Sequence, residues 1–150
     1  MDKNRRLIAL AQHPASRFWK LDFDELTVPE RVFRCIWELE GDVNNGGFVQ
    51  YYENSSGDTA HSVEFALVTV GAEDTAAIVR EANSLFEGGV PPKVQEDRQN
   101  VVESWSDQQT EGLDLLDDRF YQYPDDLTEL LYGYVAAHKD EIAGAAEVGI

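Results

Sequence analysis

The sequence predicts an all-α fold, arranged as a single compact domain of about seven or eight short helices. Apolar residues recur every three or four positions through most of the chain. The period-two alternation of half-buried strands is confined to very short stretches. Glycine and proline clusters separate the helical stretches by short connections. The 150 residues, 43% of them hydrophobic, suit one domain with its own core.

The first two helices can be placed from their caps and apolar faces. Residues 3–12 predict a short helix, and its inward positions are Leu7, Ile8, Leu10 and Ala11. The second helix begins in LTVPERVF, where Thr27 and Glu30 fit a capping box and Pro29 suits the first turn. Its predicted apolar face contains Val32, Phe33, Ile36, Trp37 and Leu39.

The stretch Asn44-Asn45-Gly46-Gly47 is predicted to end the second helix, and a short helix over 48–54 restarts at once. Glycine permits positive φ and lets backbones pass closely, so we expect Gly46 and Gly47 to form a corner between two helices. An anion cradle is the alternative, but phosphate sites usually recruit Lys or Arg, and residues 41–79 contain neither.

After the corner, one side of the short helix carries Phe48, Tyr51 and Tyr52, which we expect to enter the core. The amides of Gln50 and Asn54 lie at i and i+4, so they can bond each other or tie down neighbouring backbone.

The rest of the chain continues the helical pattern. Asp58 is predicted to cap a helix that ends at Gly71, with inward residues Val63, Ala66, Leu67 and Val70. Glu73 and Asp74 begin the next helix, with inward residues Ala77, Ile78, Ala82 and Leu85. Beyond a boundary at GGVPP, helices are predicted in KVQEDRQNVVESW, GLDLLDDRFYQY and DDLTELLYGYVAAHKDEIAG.

Charge is the strongest compositional signal, with 29 acidic residues against 12 lysines and arginines, a formal net charge of −17. Residues 1–40 hold seven of each sign, so residues 41–150 carry all the excess, five basic against 22 acidic (5 − 22 = −17). Such a field disfavours direct binding to nucleic acid or anionic lipid and favours a basic partner. Acidity that serves only solubility is the simpler alternative, and composition by itself favours it.

The sequence carries no recognisable catalytic or cofactor motif. His61 with Glu64, and His138 with Glu141, have the i, i+3 spacing of two metal ligands, but neither pair has an evident third. Cys35 is the only cysteine and is expected to be a small buried hydrophobe. We therefore expect no metal, no cofactor and no enzyme activity. A small enzyme or ligand-binding domain centred on Asn45–Asn54 and His61/Glu64 remains the alternative.

No apolar run approaches the roughly 18 residues of a membrane span. The N-terminal apolar stretch LIALA is too short for a signal peptide. We therefore expect a cytoplasmic protein without membrane contact.

One stretch resembles the hallmark of a bacterial family named for a DNA mimic protein, formerly a domain of unknown function. The matching positions are Asn45, Gly46, Gly47, Phe48, Gln50, Tyr51, Tyr52 and Asn54, followed by Gly57 and Asp58. A preceding acidic helix end (Glu38, Glu40), the later Ala66-Leu67-Val68-Thr69-Val70-Gly71-Ala72 and a Leu-Tyr-x-Tyr-Val segment extend the similarity from about Asp22 onward. Tyr52 stands where phenylalanine is frequent.

The resemblance implies an all-α fold without known catalytic activity. It also implies a homodimer, since the founding member is dimeric. That member presents carboxylates as a duplex presents phosphates and occupies a transcription factor's DNA-binding surface. The motif itself is expected to be structural, because mimicry belongs to acidic surface positions.

The best candidate for an acidic partner-binding face lies late in the chain and comprises Glu111, Asp114, Asp117, Asp118, Asp125, Asp126 and Glu129. Asp114, Asp117 and Asp118 are predicted to share a helix face opposite a stripe of Leu113, Leu116 and Phe120. Carboxylates on successive helix turns are about 5–6 Å apart, so acidic helices can approximate a strand of phosphates. The expected partner is a basic DNA-binding protein.

Overall fold

Seven α-helices and four short 3-10 turns form the regular structure of residues 1–150 in a computed structural model. The helices are α1 (Lys3–Gln12), α2 (Val28–Glu53), α3 (Ala60–Val70), α4 (Glu73–Asn83), α5 (Gln95–Glu103), α6 (Asp107–Tyr121) and α7 (Leu127–Ala137). The 3-10 turns are Phe23–Glu25, Ser55–Thr59, Glu87–Gly89 and Lys139–Glu141. The all-α prediction is confirmed, and α2 is broken at Gly46 and Gly47, so eight helical segments result.

Helix α2 is the centre of the fold, since it packs against α3, α5, α6 and α7. Helix α4 lies against α3 and α6, and α1 packs mainly on α7. One continuous apolar core joins these helices, and α5 contributes to it only through the half-buried Val101 and Val102; the only fully buried residue of α5 is an arginine, Arg98. No helix is both long enough and apolar enough to cross a membrane.

The predicted capping box at the start of α2 is confirmed. Glu30 N–H donates to Thr27 Oγ1 at 3.2 Å, and Thr27 N–H donates to Glu30 Oε1 at 3.0 Å. Glu30 is fully buried, and Arg17 donates to both of its carboxylate oxygens. Burial by itself would raise the pKa of Glu30, but the hydrogen bonds from Arg17 and Thr27 outweigh it and lower the pKa.

Four predicted core positions lie closer to the surface than expected, among them Trp37 of α2, which is half-buried. Ile8 is 38% exposed, because α1 has α7 as its main neighbour and buries only a narrow face. Ala77 and Leu85 are half-buried, and Ala76 and Val79 are buried instead. Helix α4 is covered by both α3 and α6, so its buried face is wider than one apolar stripe predicts.

Candidate partner-binding surface

The corner inside α2 depends on an unusual backbone conformation. Gly46 has φ −161° and ψ 17°, and Gly47 has φ 79° and ψ −177°. The conformation of Gly47 is essentially restricted to glycine. A Cβ on Gly47 would lie 2.9 Å from Cγ of Asp117, and one on Gly46 would collide with the side-chain amide of Gln50. The prediction that these glycines form a structural corner is confirmed.

Helix α6 closes the corner through Asp117. The carboxylate Oδ1 of Asp117 accepts a hydrogen bond from Phe48 N–H at 2.8 Å. This N–H opens the restarted helix, where the first backbone donors have no partner within the helix. Burial raises the pKa of Asp117, the bond from Phe48 offsets this in part, and the nearby Asp114 and Asp118 raise it further. Asp117 therefore anchors α6 to the family motif.

Two substitutions of Asp117 distinguish the contribution of its hydrogen bond from the contribution of its charge. Asp117→Asn keeps an oxygen that accepts from Phe48, so we expect its free energy of unfolding at pH 7 to stay within about 1 kcal/mol of wild type or to rise. Asp117→Ala leaves the N–H unpaired and should lose about 1–3 kcal/mol. Urea unfolding of both variants measures this.

The pH dependence gives a second readout of the same pair of variants. Because the folded pKa of Asp117 is raised above 3.8, the folded state binds this proton more tightly than the unfolded state does. The protonated carboxyl of Asp117 therefore contributes to the free energy of unfolding. This contribution is fully present below the unfolded pKa and is lost as pH rises through the folded pKa. Asp117→Asn should therefore gain stability relative to wild type as pH rises from about 3 to 7. A relative loss over that interval would contradict the assignment.

The other motif residues hold the restarted helix in place. Phe48, Tyr51 and Tyr52 are fully buried, as predicted. The amide of Gln50 bonds back across the corner, donating to Asp42 Oδ1 at 3.0 Å and accepting from Asn45 Nδ2 at 3.3 Å. It does not bond Asn54, because the corner brings the end of the preceding helix within its reach.

A buried arginine, which the sequence pattern does not reveal, joins the motif to α5. Arg98 is fully buried, and its Nε donates to the carbonyl of Tyr52 at 2.9 Å. Its two terminal nitrogens donate at 2.7–3.0 Å to the carbonyls of Pro92, Lys93 and Asn54 and to Asp58 Oδ1. The guanidinium therefore binds the end of α2, the turn at Ser55–Thr59 and the segment before α5 at the same time.

The prediction that Asp58 caps α3 is wrong. The N-cap of α3 is Thr59, which makes no side-chain cap bond, and the Asp58 carboxylate instead accepts from Arg98. Gly57 is needed at the same place, since a Cβ there would lie 2.6 Å from the Tyr51 carbonyl oxygen and 2.8 Å from Arg98 Nε. The Gly57-Asp58 pair therefore accommodates the arginine.

The outer face of α6 carries a continuous line of exposed carboxylates, here called the acidic stripe: Asp107, Glu111, Asp114 and Asp118. Their spacing of four, three and four residues confines them to about 60° of the helix circumference and about 16 Å of its length. None of the four makes a salt bridge. The buried face of α6 holds Leu113, Leu116 and Phe120, as predicted.

The remaining predicted acidic residues have local partners. Asp125 accepts from the backbone N–H and the hydroxyl of Thr75 at 2.7 and 2.9 Å. Asp126 caps α7 by accepting from the N–H of Glu129, and Glu129 pairs with Lys3 at 2.6 Å. With Asp117 in the corner, the exposed and unpaired members of the predicted face are Glu111, Asp114 and Asp118; sequence reasoning left out Asp107, one turn before Glu111.

The two histidine pairs have different surroundings. Glu64 binds Arg80 at 2.7 Å rather than His61. His138 follows the end of α7 and bonds the Tyr134 carbonyl. No group of three or more His, Cys, Asp or Glu side chains has the arrangement of a metal site. Burial, and next the charge of Lys93, lower the pKa of His61.

Cys35 is buried, as predicted for a small hydrophobe, and burial raises the pKa of its thiol to about 12. His61 lines a pocket of about 430 Å³ with Trp19, Arg34 and Lys93, but no residue of Asn45–Asn54 reaches it. The two parts of the alternative enzyme site are therefore not brought together.

The fold and the surface define a single-domain helical protein whose helix α6 displays four exposed carboxylates that make no salt bridge. A model of the family described as DMP19-like protein matches residues 24–138, so the chain belongs to the DMP19-like protein family. No curated protein and no solved structure matches the chain.

Proposed function

We propose that this protein acts without catalysis, as a DNA mimic that occupies the DNA-binding surface of a basic protein. Membership of the DMP19-like family supports the class of activity. The acidic stripe on α6 is the observation that carries the proposal for this chain, because its carboxylates are exposed, regularly spaced and free of internal cations.

The dimensions of the stripe fit those of a nucleic-acid strand. One strand of B-DNA carries a phosphate every 3.4 Å along the axis, or about five over 16 Å. The stripe presents four carboxylates over a similar length. A basic groove that binds a strand of phosphates can therefore meet a comparable density of charge on α6.

Cations do not interrupt this charge pattern. From Gln95 to Tyr121 the only basic residues are Arg98 and Arg119. Arg98 is fully buried, and Arg119 is bonded to Glu81 of α4 at 3.0 Å. An approaching basic protein would thus meet a negative field, which favours rapid and salt-sensitive association.

The family resemblance also leads us to propose a homodimer, a location in the cytoplasm and a role in transcription regulation. These proposals rest on the resemblance and not on a particular contact.

Neutralising three of the four carboxylates of the stripe should weaken partner binding without unfolding the protein. The test variant combines Glu111→Gln, Asp114→Asn and Asp118→Asn, leaving out Asp117 because of its structural bond. The control combines Asp22→Asn, Asp140→Asn and Glu147→Gln, which are exposed, lie outside α6 and make no salt bridge. Both variants change the net charge equally. We expect at least a tenfold weaker association for the test variant and less than threefold for the control.

The partner for this measurement is obtained by capture on the immobilised protein at low salt and elution at high salt. Mimicry requires that duplex DNA release the captured protein, because both ligands use one surface. Affinity should fall steeply with ionic strength, since charges are screened over about 8 Å at physiological salt. Equal losses in both variants would indicate bulk charge alone, and no salt-sensitive partner would leave solubility as the role of the acidity.

A further inference from the structure

A second site lies outside both the acidic stripe and the motif. It is an open pocket of about 500 Å³ where α1, α2, α7 and the chain after α6 meet. The lining residues that matter here are Ile8, Trp37, Glu40, Asn44 and Tyr123. Two aromatic rings and one carboxylate therefore face a common space.

The carboxylate in this pocket is held by an ordered chain of hydrogen bonds. Tyr123 Oη donates to Glu40 Oε2 at 2.8 Å and accepts from Asn44 Nδ2 at 2.6 Å. Tyr123 has φ 49° and is the only non-glycine residue with positive φ. Such backbone strain persists only where its surroundings impose it, and it is frequent at binding sites.

Glu40 has no cationic partner within the protein. The neighbouring Glu38 is bonded to Arg34 at 3.0 Å, and Lys3, near α7, is bonded to Glu129. Burial raises the pKa of Glu40, the bond from Tyr123 offsets this in part, and Asp126 raises it further. A partly desolvated carboxylate without a cation is unfavourable, so a cation that entered the pocket would be bound favourably.

We propose that this pocket binds one organic cation, a guanidinium or alkylammonium group. Glu40 forms the ion pair, and the rings of Trp37 and Tyr123 flank the cation. Charge-assisted hydrogen bonds and cation–π contacts are the interactions that recognise such groups. The cation is either an arginine or lysine side chain of a bound protein or a free small amine.

Binding of Nα-acetylargininamide to the full chain, measured by isothermal titration calorimetry, tests the proposal. Nα-acetylcitrullinamide has nearly the same shape without the charge, and we expect it to bind at least tenfold more weakly. Glu40→Gln should reduce arginine binding to the citrulline level. Glu103→Gln, which removes an exposed carboxylate of α5, should leave it unchanged and controls for net charge. Thermal melting of each variant verifies folding.

Two further ligands distinguish the sources of the cation. If methylguanidinium binds as well as the peptide Gly-Arg-Gly, a free small cation is sufficient; tighter binding of the peptide indicates a protein side chain. The triple variant Glu111→Gln, Asp114→Asn, Asp118→Asn should still bind methylguanidinium and Gly-Arg-Gly. The test of this pocket is therefore independent of the test of the DNA-mimic proposal. Equal affinity for arginine and citrulline ligands, or full binding by a folded Glu40→Gln, would overturn the inference.

Discussion

Replacing Arg98 with leucine is expected to destabilise the protein by about 4 kcal/mol. Removing one partner of a buried ion pair typically costs about 3–5 kcal/mol. Here the carbonyls of Tyr52, Asn54, Pro92 and Lys93 lose their donor as well. Asp58 is 45% exposed and can turn to water, so most of the loss comes from the carbonyls.

Two further variants test whether the loss is specific to the buried guanidinium of Arg98. Arg98→Lys keeps the charge but has three donors in place of five, so it should recover only part of the stability. Arg80→Leu removes an arginine whose ion pair with Glu64 lies at the surface, and it should change the free energy of unfolding by less than about 1 kcal/mol. Urea unfolding curves compare all three. Similar losses for Arg98→Leu and Arg80→Leu would refute the central role of Arg98.

Replacing Gly47 with valine should also destabilise the protein strongly, by about 3 kcal/mol or more. A β-branched residue is strongly strained at φ 79° and ψ −177°. Its Cβ would also displace the Asp117 carboxylate from Phe48 N–H, so the strain and the lost hydrogen bond act together. Thermal and urea unfolding measure the loss.

A glycine on the surface of the same structure serves as the control. Gly112 lies within α6, and a Cβ there would meet nothing within 4 Å. Gly112→Ala should therefore be neutral or stabilising by up to about 1 kcal/mol. If Gly47→Val were as harmless as Gly112→Ala, the corner would not depend on glycine.

The corner also connects the motif to the proposed binding surface. Asp117 lies beside the acidic stripe on α6, and its bond to Phe48 fixes α6 against the break in α2. A residue of the motif region is therefore expected to influence the proposed partner binding through the position of α6. Gly47→Val should weaken binding in proportion to its effect on the fold.

The acidic face of α6 could be predicted only in part from the sequence. The position of an acidic helix opposite Leu113, Leu116 and Phe120 follows from helical periodicity alone. Periodicity cannot tell that Asp117 and Asp125 accept hydrogen bonds from Phe48 and Thr75, because those partners are 69 and 50 residues away. The acidic stripe can be identified only when the carboxylates that have partners within the protein, such as Asp117 and Asp125, are known.

The local features can be predicted from the sequence: the helices, the capping box at Thr27 and Glu30, the corner at Gly46 and Gly47, and the excess of negative charge. These depend on residues within a few positions of one another or on composition, so they can be read along the chain. The burial of Arg98, the bond from Arg98 to Asp58 in place of a cap on α3, and the shared pocket of Glu40 and Tyr123 follow from the packing of the helices. The physical reason is that each of these pairings joins segments distant in sequence, where packing of helices rather than local propensity selects the partner.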